Sequence, residues 1–353
     1  MAEVRDAEFL NLHDVEACAR DVLDPATFAF LAGGAGDEVT LRRNRAAFER
    51  CRLVPRVLVD VGAATTATTV LGRPAAMPVV VAPMGIQRAV HPEGECATAR
   101  AAAAGGTTLC LSNISTCAPA DVAAAGGPWW QQLYSWRDHG LTRGVVEQAE
   151  ACGAEAIVLT VDSGVVPRRE RALRAGFAFP DTLEVPVCGG RTPADLHVQV
   201  DVTLSWSTFE RIAGLTRLPL VLKGILSPAD AALACEHGVA GIVVSNHGGR
   251  QLDGTPAPLE VLAAVVEAVA GRAEVLLDSG VRRGTDVLAA LALGARAVMV
   301  GRPVIYALAA AGEAGVARVL ELLRAEIEQG LTLLGCTSPD DVGQEHVLIG
   351  ATW

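Results

Sequence analysis

The chain repeats one pattern: short, largely apolar runs separated by Ala-rich stretches with helical spacing. The runs fall at Val79-Val80-Val81-Ala82, Thr108-Leu109-Cys110-Leu111, Trp130-Gln131-Gln132-Leu133-Tyr134 and Ala156-Ile157-Val158-Leu159-Thr160-Val161. They continue at Leu220-Val221-Leu222-Lys223, Gly241-Ile242-Val243-Val244, Val275-Leu276-Leu277-Asp278 and Ala297-Val298-Met299-Val300. Such runs, bounded by turn residues, suit strands buried on both faces. The stretches between them (Glu95 to Ala104, Val145 to Ala151, Ala229 to Glu236, Leu259 to Ala268, Thr285 to Leu293) read as helices. The alternation predicts parallel βα units, and eight strands is the count that closes a (β/α)8 TIM barrel. A doubly wound open sheet is the alternative, but it usually carries G-x-G-x-x-G after its first strand. Here Pro83-Met84-Gly85 follows instead, which favours the barrel.

Around that repeat, residues 1 to 60 read as a helical lead-in. A helical pattern runs from Val15 to Leu31 and breaks at Gly33-Gly34; a second follows Asp37 through Leu41 and Phe48 and stops before Pro55. Residues 61–310 form the barrel. The residues 163–218, between the fourth run and the fifth, read as a long loop on the carboxyl rim, a common position for a substrate lid. A disordered excursion without a role is the plainer reading of the same stretch. Gly315 to Leu334 predicts a final long helix within a closing segment 311–353, and the whole chain 1–353 is expected to be one domain.

Composition narrows the function. A formal charge of −11 argues against a nucleic-acid surface, which needs clustered Lys and Arg. The sequence shows no polybasic tract, no apolar run of the ~18 residues a spanning helix needs, and no signal pattern at its start. The expectation is a cytoplasmic protein acting on a small molecule, with no nucleic-acid or membrane partner. The nine scattered cysteines contain no C-x-x-C, and the seven histidines show neither H-x-x-x-H nor H-E-x-x-H. Free thiols and no metal are expected.

Parallel strands bring their carboxyl ends to one mouth, where barrel active sites lie. The polar residues at those ends include Ser112, Gln132 and Tyr134, Thr160 and Asp162, Lys223, Ser245, Asp278 and Arg302. The densest cluster is Ser245-Asn246-His247-Gly248-Gly249-Arg250-Gln251-Leu252-Asp253. His247 can take a proton near neutral pH, and Arg250 presents a fork of donors suited to a carboxylate or phosphate. A lone histidine there would read as a surface turn; an arginine three residues on shifts the reading to a site for a small acid.

That nine-residue stretch resembles the signature of the FMN-dependent α-hydroxy acid oxidase family, which includes glycolate oxidase, lactate oxidase and mandelate dehydrogenase. The likeness extends to His91-Pro92-Glu93-Gly94-Glu95, Gln132-Leu133-Tyr134, Leu159-Thr160-Val161-Asp162, Lys223-Gly224, Asp278 to Gly284 and Gly301-Arg302-Pro303. It implies that His247 is the base that takes a proton from the substrate and that Asp162 pairs with its other ring nitrogen. Arg250 and Arg169 would grip the substrate carboxylate, with Arg169 chosen over its neighbour Arg168 by alignment alone, and Tyr134 would bond the substrate's polar groups. For FMN, the likeness implies backbone contacts at Pro83, Met84 and Gly85. Ser112, Gln132, Thr160 and Ser245 would hold the flavin ring, with Lys223 near its N1 and O2. The phosphate would lie on Asp278, Ser279, Gly280, Arg282, Gly301 and Arg302, in line with the usual phosphate site after strands seven and eight of a barrel. A Schiff-base role for Lys223, as in an aldolase, is the rival reading.

Three departures from the family pattern bear on substrate and acceptor. Phe30 stands where glycolate oxidase has a tyrosine, and Ile114 where it has a tryptophan, which points to a larger, less polar substrate. The pocket pattern is similar to that of 4-hydroxymandelate oxidase, and an aryl (S)-2-hydroxy acid of the mandelate type is the expected substrate. The product would be the 2-oxo acid or its decarboxylated form. Gly85 stands where the oxidases tend to carry alanine beside the flavin. O2 reduced to H2O2 is the expected acceptor chemistry, with a dehydrogenase or monooxygenase, or an oxidase of glycolate or lactate, as the alternatives. The resemblance also implies a homotetramer.

Overall fold

Successive residues of a strand point to opposite faces, and in this chain both faces of the apolar runs are buried. In the computed structural model, which describes residues 9–350, twelve strands form in chain order. They are β1 (Cys51–Leu53), β2 (Thr68–Val70), β3 (Arg73–Ala75), β4 (Val79–Val81), β5 (Thr108–Leu111) and β6 (Trp129–Leu133). Then come β7 (Ile157–Thr160), β8 (Leu220–Ile225), β9 (Gly241–Val244), β10 (Glu274–Leu277), β11 (Ala297–Val300) and β12 (Val347–Ile349). Strands β4 to β11 pair in parallel and in sequence, and β11 closes onto β4. All eight barrel strands coincide with the apolar runs, so the chain is a (β/α)8 barrel.

Val80, Cys110, Trp130, Val158, Val221, Val243, Leu276 and Met299 fill the barrel's interior, together with Val70 and Ala75 from the β2–β3 hairpin. Their neighbours Val79, Val81, Leu109, Leu111, Ile157 and Leu159 pack outward against the helices. The hairpin therefore stoppers the amino-terminal end. A second addition, β1, pairs antiparallel with β12 and ties the two ends of the chain together.

Three expectations change. The helical pattern from Val15 to Leu31 is two helices, Leu12–Val22 and Pro25–Ala32. Asp24 caps the second, accepting from the Ala26 and Thr27 N–H groups at 3.0 Å, and Pro25 takes the first helical position, where its missing N–H costs nothing. The segment 163–218 is not all rim loop: Trp206–Ala213 is the barrel helix that leads into β8, burying Phe209 and Ile212. The last helix starts at Arg302 and runs to Leu334 with a kink at Ala311–Gly312. Gly312 has φ +59°, and a Cβ there would lie 2.8 Å from His91 Nε2, so His91 packs into the kink and holds a structural place. By length and composition this helix could cross a membrane, but 67% of its apolar window is buried against the rest of the fold.

The lead-in docks on the histidine loop. Asp253 accepts from Thr40 N at 2.7 Å and Val39 N at 3.2 Å, at the start of the helix Val39–Glu49. Asn44 and Asn246, both buried, exchange amide hydrogen bonds at 2.9 and 2.7 Å. Gly249, at φ +74°, leaves no room between the two: a Cβ would stand 2.7 Å from the Leu41 backbone. Gly249→Ala combines left-handed strain with overlap against backbone, and should cost about 2–4 kcal/mol. Denaturant unfolding of the two proteins checks this; equal midpoints would show that the loop gives way freely.

Candidate active site

At the end of β9 the backbone turns through three left-handed residues, His247 (φ +58°), Gly248 (φ +67°) and Gly249 (φ +74°). Left-handed backbone is uncommon for a histidine. Here the turn is held by Ser245 Oγ, which accepts the His247 N–H at 3.0 Å, and by Ser279 Oγ, which accepts the Gly248 N–H at 2.8 Å. His247 Nδ1 lies 3.0 Å from Asp162 Oδ1 at the end of β7. Among the described residues Nε2 has no protein partner, and His247 lines the central cavity. Burial pushes the His247 pKa below its ordinary value, with Lys223 and Arg169 adding to the effect and Asp162 opposing it. Asp162 remains ionised: burial opposes its charge, but His247 and Lys223 hold its pKa below the usual carboxylate value. The imidazole is thus neutral at pH 7, oriented, and able to accept a proton.

A pH dependence follows. Protonating the free enzyme's His247 removes the base, and its pKa lies below the model-peptide value of about 6.5. The kcat/KM profile should stay flat from neutral pH past that point and fall only at lower pH. An acid limb centred at or above the ordinary histidine value would contradict the burial argument.

Arginines supply the opposite charge. Arg250 and Arg169 both line the cavity, 4.9 and 5.9 Å from the Phe30 ring centroid. Arg250 Nη1 donates to the carbonyls of Phe30 at 2.7 Å and Gly33 at 2.8 Å, and Arg169 Nε reaches the Arg250 carbonyl at 3.4 Å. Burial lowers both pKa values, and for Arg250 the nearby Arg169 and Arg302 lower it further. Arg168, by contrast, projects outward with an 80% exposed side chain, so the structure brings only Arg169 of the adjacent pair into the site.

A second cationic pair lines the same cavity, and its Arg302 shares the Gly33 carbonyl with Arg250. Arg282 uses one nitrogen on its neighbour's carbonyl (Val281 O, 2.9 Å), and burial together with Arg302 lowers its pKa to about 10. Arg302 is more fully engaged, donating to Leu31 O, Gly248 O and Gly33 O at 2.9–3.0 Å. Its contribution to an anion is mainly charge. Ser279 (φ +75°) and Gly280 (φ +106°) turn the backbone there, and a Cβ on Gly280 would meet Asn44 O at 2.7 Å. Gly301 precedes the first turn of the last helix, whose positive end faces the cavity.

Also in the lining, Lys223 from β8 is buried with Asp278, 2.8 Å away, and donates to Ser245 Oγ at 3.0 Å. Burial works against its charge, but Asp278 and Asp162 override it and hold its pKa up at about 12. A cationic lysine is a poor amine nucleophile, which disfavours the aldolase reading. Pro83, Met84, Gly85, Ser112 and Thr160 line the wall beside it. Gln132 sits behind that wall, donating to Thr160 Oγ1 at 3.0 Å and accepting from Asn113 N at 2.9 Å. Ser245 and Asp162 likewise support the lining from behind. Tyr134 faces the cavity with its phenol pKa raised by burial and by Asp162, so its hydroxyl stays a donor.

Sequence reasoning missed several residues. Ser163 Oγ bridges Asp162 Oδ1 (3.2 Å) and Gln251 Nε2 (2.7 Å), and Gln251 also donates to the Asp162 carbonyl at 2.8 Å. Gln251 lies within the nine-residue motif, so its place was the readable signal. Phe177 stacks on Phe30 at 4.1 Å, and Phe179 meets Phe30 edge-on at 5.4 Å; both come from the rim segment after β7. The Gly85 departure has a spatial counterpart: a Cβ on residue 85 would lie 2.3 Å from Ile114 Cγ1 and 2.7 Å from Ile114 O. The side chain of Ile114 fills the space a methyl at 85 would take.

Compared with known proteins, the chain matches the FMN-dependent dehydrogenase family over residues 19–349. The chain belongs to this family. It is 46% identical to an L-lactate oxidase of Nostoc sp. over 94% of this chain and 96% of the relative. It is also 46% identical to a 4-hydroxymandelate oxidase of Amycolatopsis orientalis over 94% of this chain and 96% of the relative. A crystal structure of mandelate oxidase superposes with a TM-score of 0.92 at 44% identity, covering 98% of this chain and all of the other.

As a member of the FMN-dependent dehydrogenase family the chain uses FMN, and the cavity's chemistry fits that group. Arginines that lower one another's pKa in one partly buried cavity call for anions to balance them. A phosphate suits the end marked by Arg282, Gly280 and the helix start, and a carboxylate suits Arg250 and Arg169. Lys223 is the cation in the same lining that would favour an electron-rich ring. When bound, FMN supplies a two-electron acceptor.

Proposed function

We propose that this member of the FMN-dependent hydroxy acid oxidase family oxidises an aryl (S)-2-hydroxy acid, of the mandelate or 4-hydroxymandelate type, to its 2-oxo acid, with O2 reduced to H2O2. The carrying observation is the lining beyond the arginine clamp. Phe30, Ile114, Val165, Val166, Phe179 and Leu196 present an apolar, ring-rich wall where a substrate's side group would lie. The relatives named above include a 4-hydroxymandelate oxidase and a structure of mandelate oxidase, which supports the same reading.

In this reading Arg250 and Arg169 bind the carboxylate and fix the α-carbon, while Tyr134 bonds a substrate oxygen. His247 Nε2 takes the proton released as the C–O single bond becomes C=O, and Asp162 stabilises the imidazolium. Phe30 has no hydroxyl to offer the carboxylate, so the arginines carry the clamp and the ring is left to pack. A homotetramer in the cytoplasm belongs to the same proposal; sedimentation of the purified protein tests the assembly.

Steady-state assays coupled to peroxide decide the substrate. An aryl group that leaves water for this wall should give (S)-mandelate a kcat/KM at least about tenfold above glycolate, the scale of discrimination a hydrophobic pocket achieves. Glycolate preferred over mandelate would end the aryl reading. Peroxide formed in equal amount to acid consumed tests the oxygen arm.

A further inference from the structure

Asp162 is itself held in place. The left-handed turn at 247–249 brings the buried Gln251 back against the end of β7, where it meets the half-buried Ser163. Gln251 Nε2 donates twice, to the Asp162 carbonyl at 2.8 Å and to Ser163 Oγ at 2.7 Å. Ser163 Oγ lies 3.2 Å from Asp162 Oδ1 and 3.5 Å from His247 Nδ1. We propose that Ser163 and Gln251 are positioning residues for the proton transfer. Gln251 aims the Ser163 hydroxyl at Asp162, and that hydroxyl limits how strongly Asp162 draws a proton onto His247.

The direction of each bond follows from its partners. The Asp162 carbonyl can only accept, so the amide nitrogen of Gln251, not its oxygen, must face it. The other hydrogen of that nitrogen goes to Ser163 Oγ, which accepts there and keeps its own proton for the ionised carboxylate. His247 Nδ1 must then carry a hydrogen to bond the same Oδ1, which leaves Nε2 bare for the substrate's proton. Oδ1 takes two hydrogen bonds in this way, while Oδ2 is buried and has no partner among the described residues. A donor on a carboxylate stabilises its charge, and a carboxylate so stabilised holds an imidazolium less firmly. Gly224, at the bulge in β8, makes the space: a Cβ there would stand 2.7 Å from Asp162 Cβ and Cγ. The other charges bearing on the pair are Lys223 of β8 and Arg169 of the rim segment, with the Tyr134 phenol after β6 facing Asp162. All three are left in place when Ser163 or Gln251 is changed.

The proposal rests on His247 as the base, so the test reads the histidine directly and without substrate. FMN-loaded enzyme with isotope-labelled histidine rings is titrated by NMR, and the His247 signal is assigned by its loss in His247→Ala. Ser163→Ala should move the His247 titration upward by about half a pH unit or more. Ser163→Thr keeps a hydroxyl and should titrate with the parent. Gln251→Leu should shift in the same direction as Ser163→Ala, and the double variant no further than Ser163→Ala, because both changes act through one hydroxyl. The acid limb of kcat/KM for (S)-mandelate should move with the titration. An unmoved or lowered titration in Ser163→Ala, a Ser163→Thr displaced as far as Ser163→Ala, a Gln251→Leu at the parent's value, or a double variant shifted by the sum overturns the proposal. The expected shifts together with full activity in His247→Ala would support the hydrogen-bond chain and count against the base instead.

Discussion

His247→Ala should keep its FMN and lose turnover by about 10³–10⁴-fold, at the upper end of what a positioned general base contributes. The reason is local. Nδ1 is committed to Asp162, Nε2 faces the cavity, and burial keeps the ring unprotonated at neutral pH. Its neighbours are poorer bases for this place: Lys223 is held cationic, the Tyr134 phenol is pushed toward its neutral form, and His197, the other histidine of the lining, packs edge-on against Phe179. The variant should therefore keep its flavin absorption while anaerobic (S)-mandelate fails to bleach it. Asp162→Asn should cost less, because it weakens the base without removing it. Activity of His247→Ala within tenfold of the parent would remove His247 from its role, whatever its effect on folding.

Lys223→Met should lower stability by about 3–5 kcal/mol, the usual cost of leaving one member of a buried ion pair alone. Lys223 and Asp278 are 5% and 9% exposed, and after the change Asp278 keeps only the short bond from Ser279 Oγ at 2.7 Å. The double variant Lys223→Met with Asp278→Leu should recover most of that loss, since an apolar pair of similar volume needs no countercharge. Denaturant midpoints at saturating FMN measure all three proteins. A single variant as stable as the parent, or a double variant no better than the single, would show that the pair carries no such charge economy.

Much of this site is legible in the sequence, and the reasons differ by residue. The barrel strands were legible because burial on both faces writes itself as unbroken apolar runs, and the mouth followed because parallel strands end together. The hairpin β2–β3 was not legible: each strand has three residues, and Arg73 and Pro74 break the apolar pattern that marks the others. The pairing of β1 with β12 joins segments almost 300 residues apart, a distance over which local pattern says nothing. The break at Asp24-Pro25 was readable as a cap followed by a first-turn proline, but the apolar period on either side hid it. Arg169 could not be told from Arg168 by type; only the path of the rim segment turns one inward. Ser163, Phe177 and Phe179 act through neighbours brought together by folding, so their residue types alone gave no signal.

The hairpin at the barrel's foot has a further consequence for traffic. With Val70 and Ala75 wedged beneath a filled interior, the described residues close the barrel's foot and leave the cavity to be approached from the opposite rim, where Val165, Val166 and Phe179 of the segment after β7 line it. An entering acid and its departing oxo product would then pass the same residues.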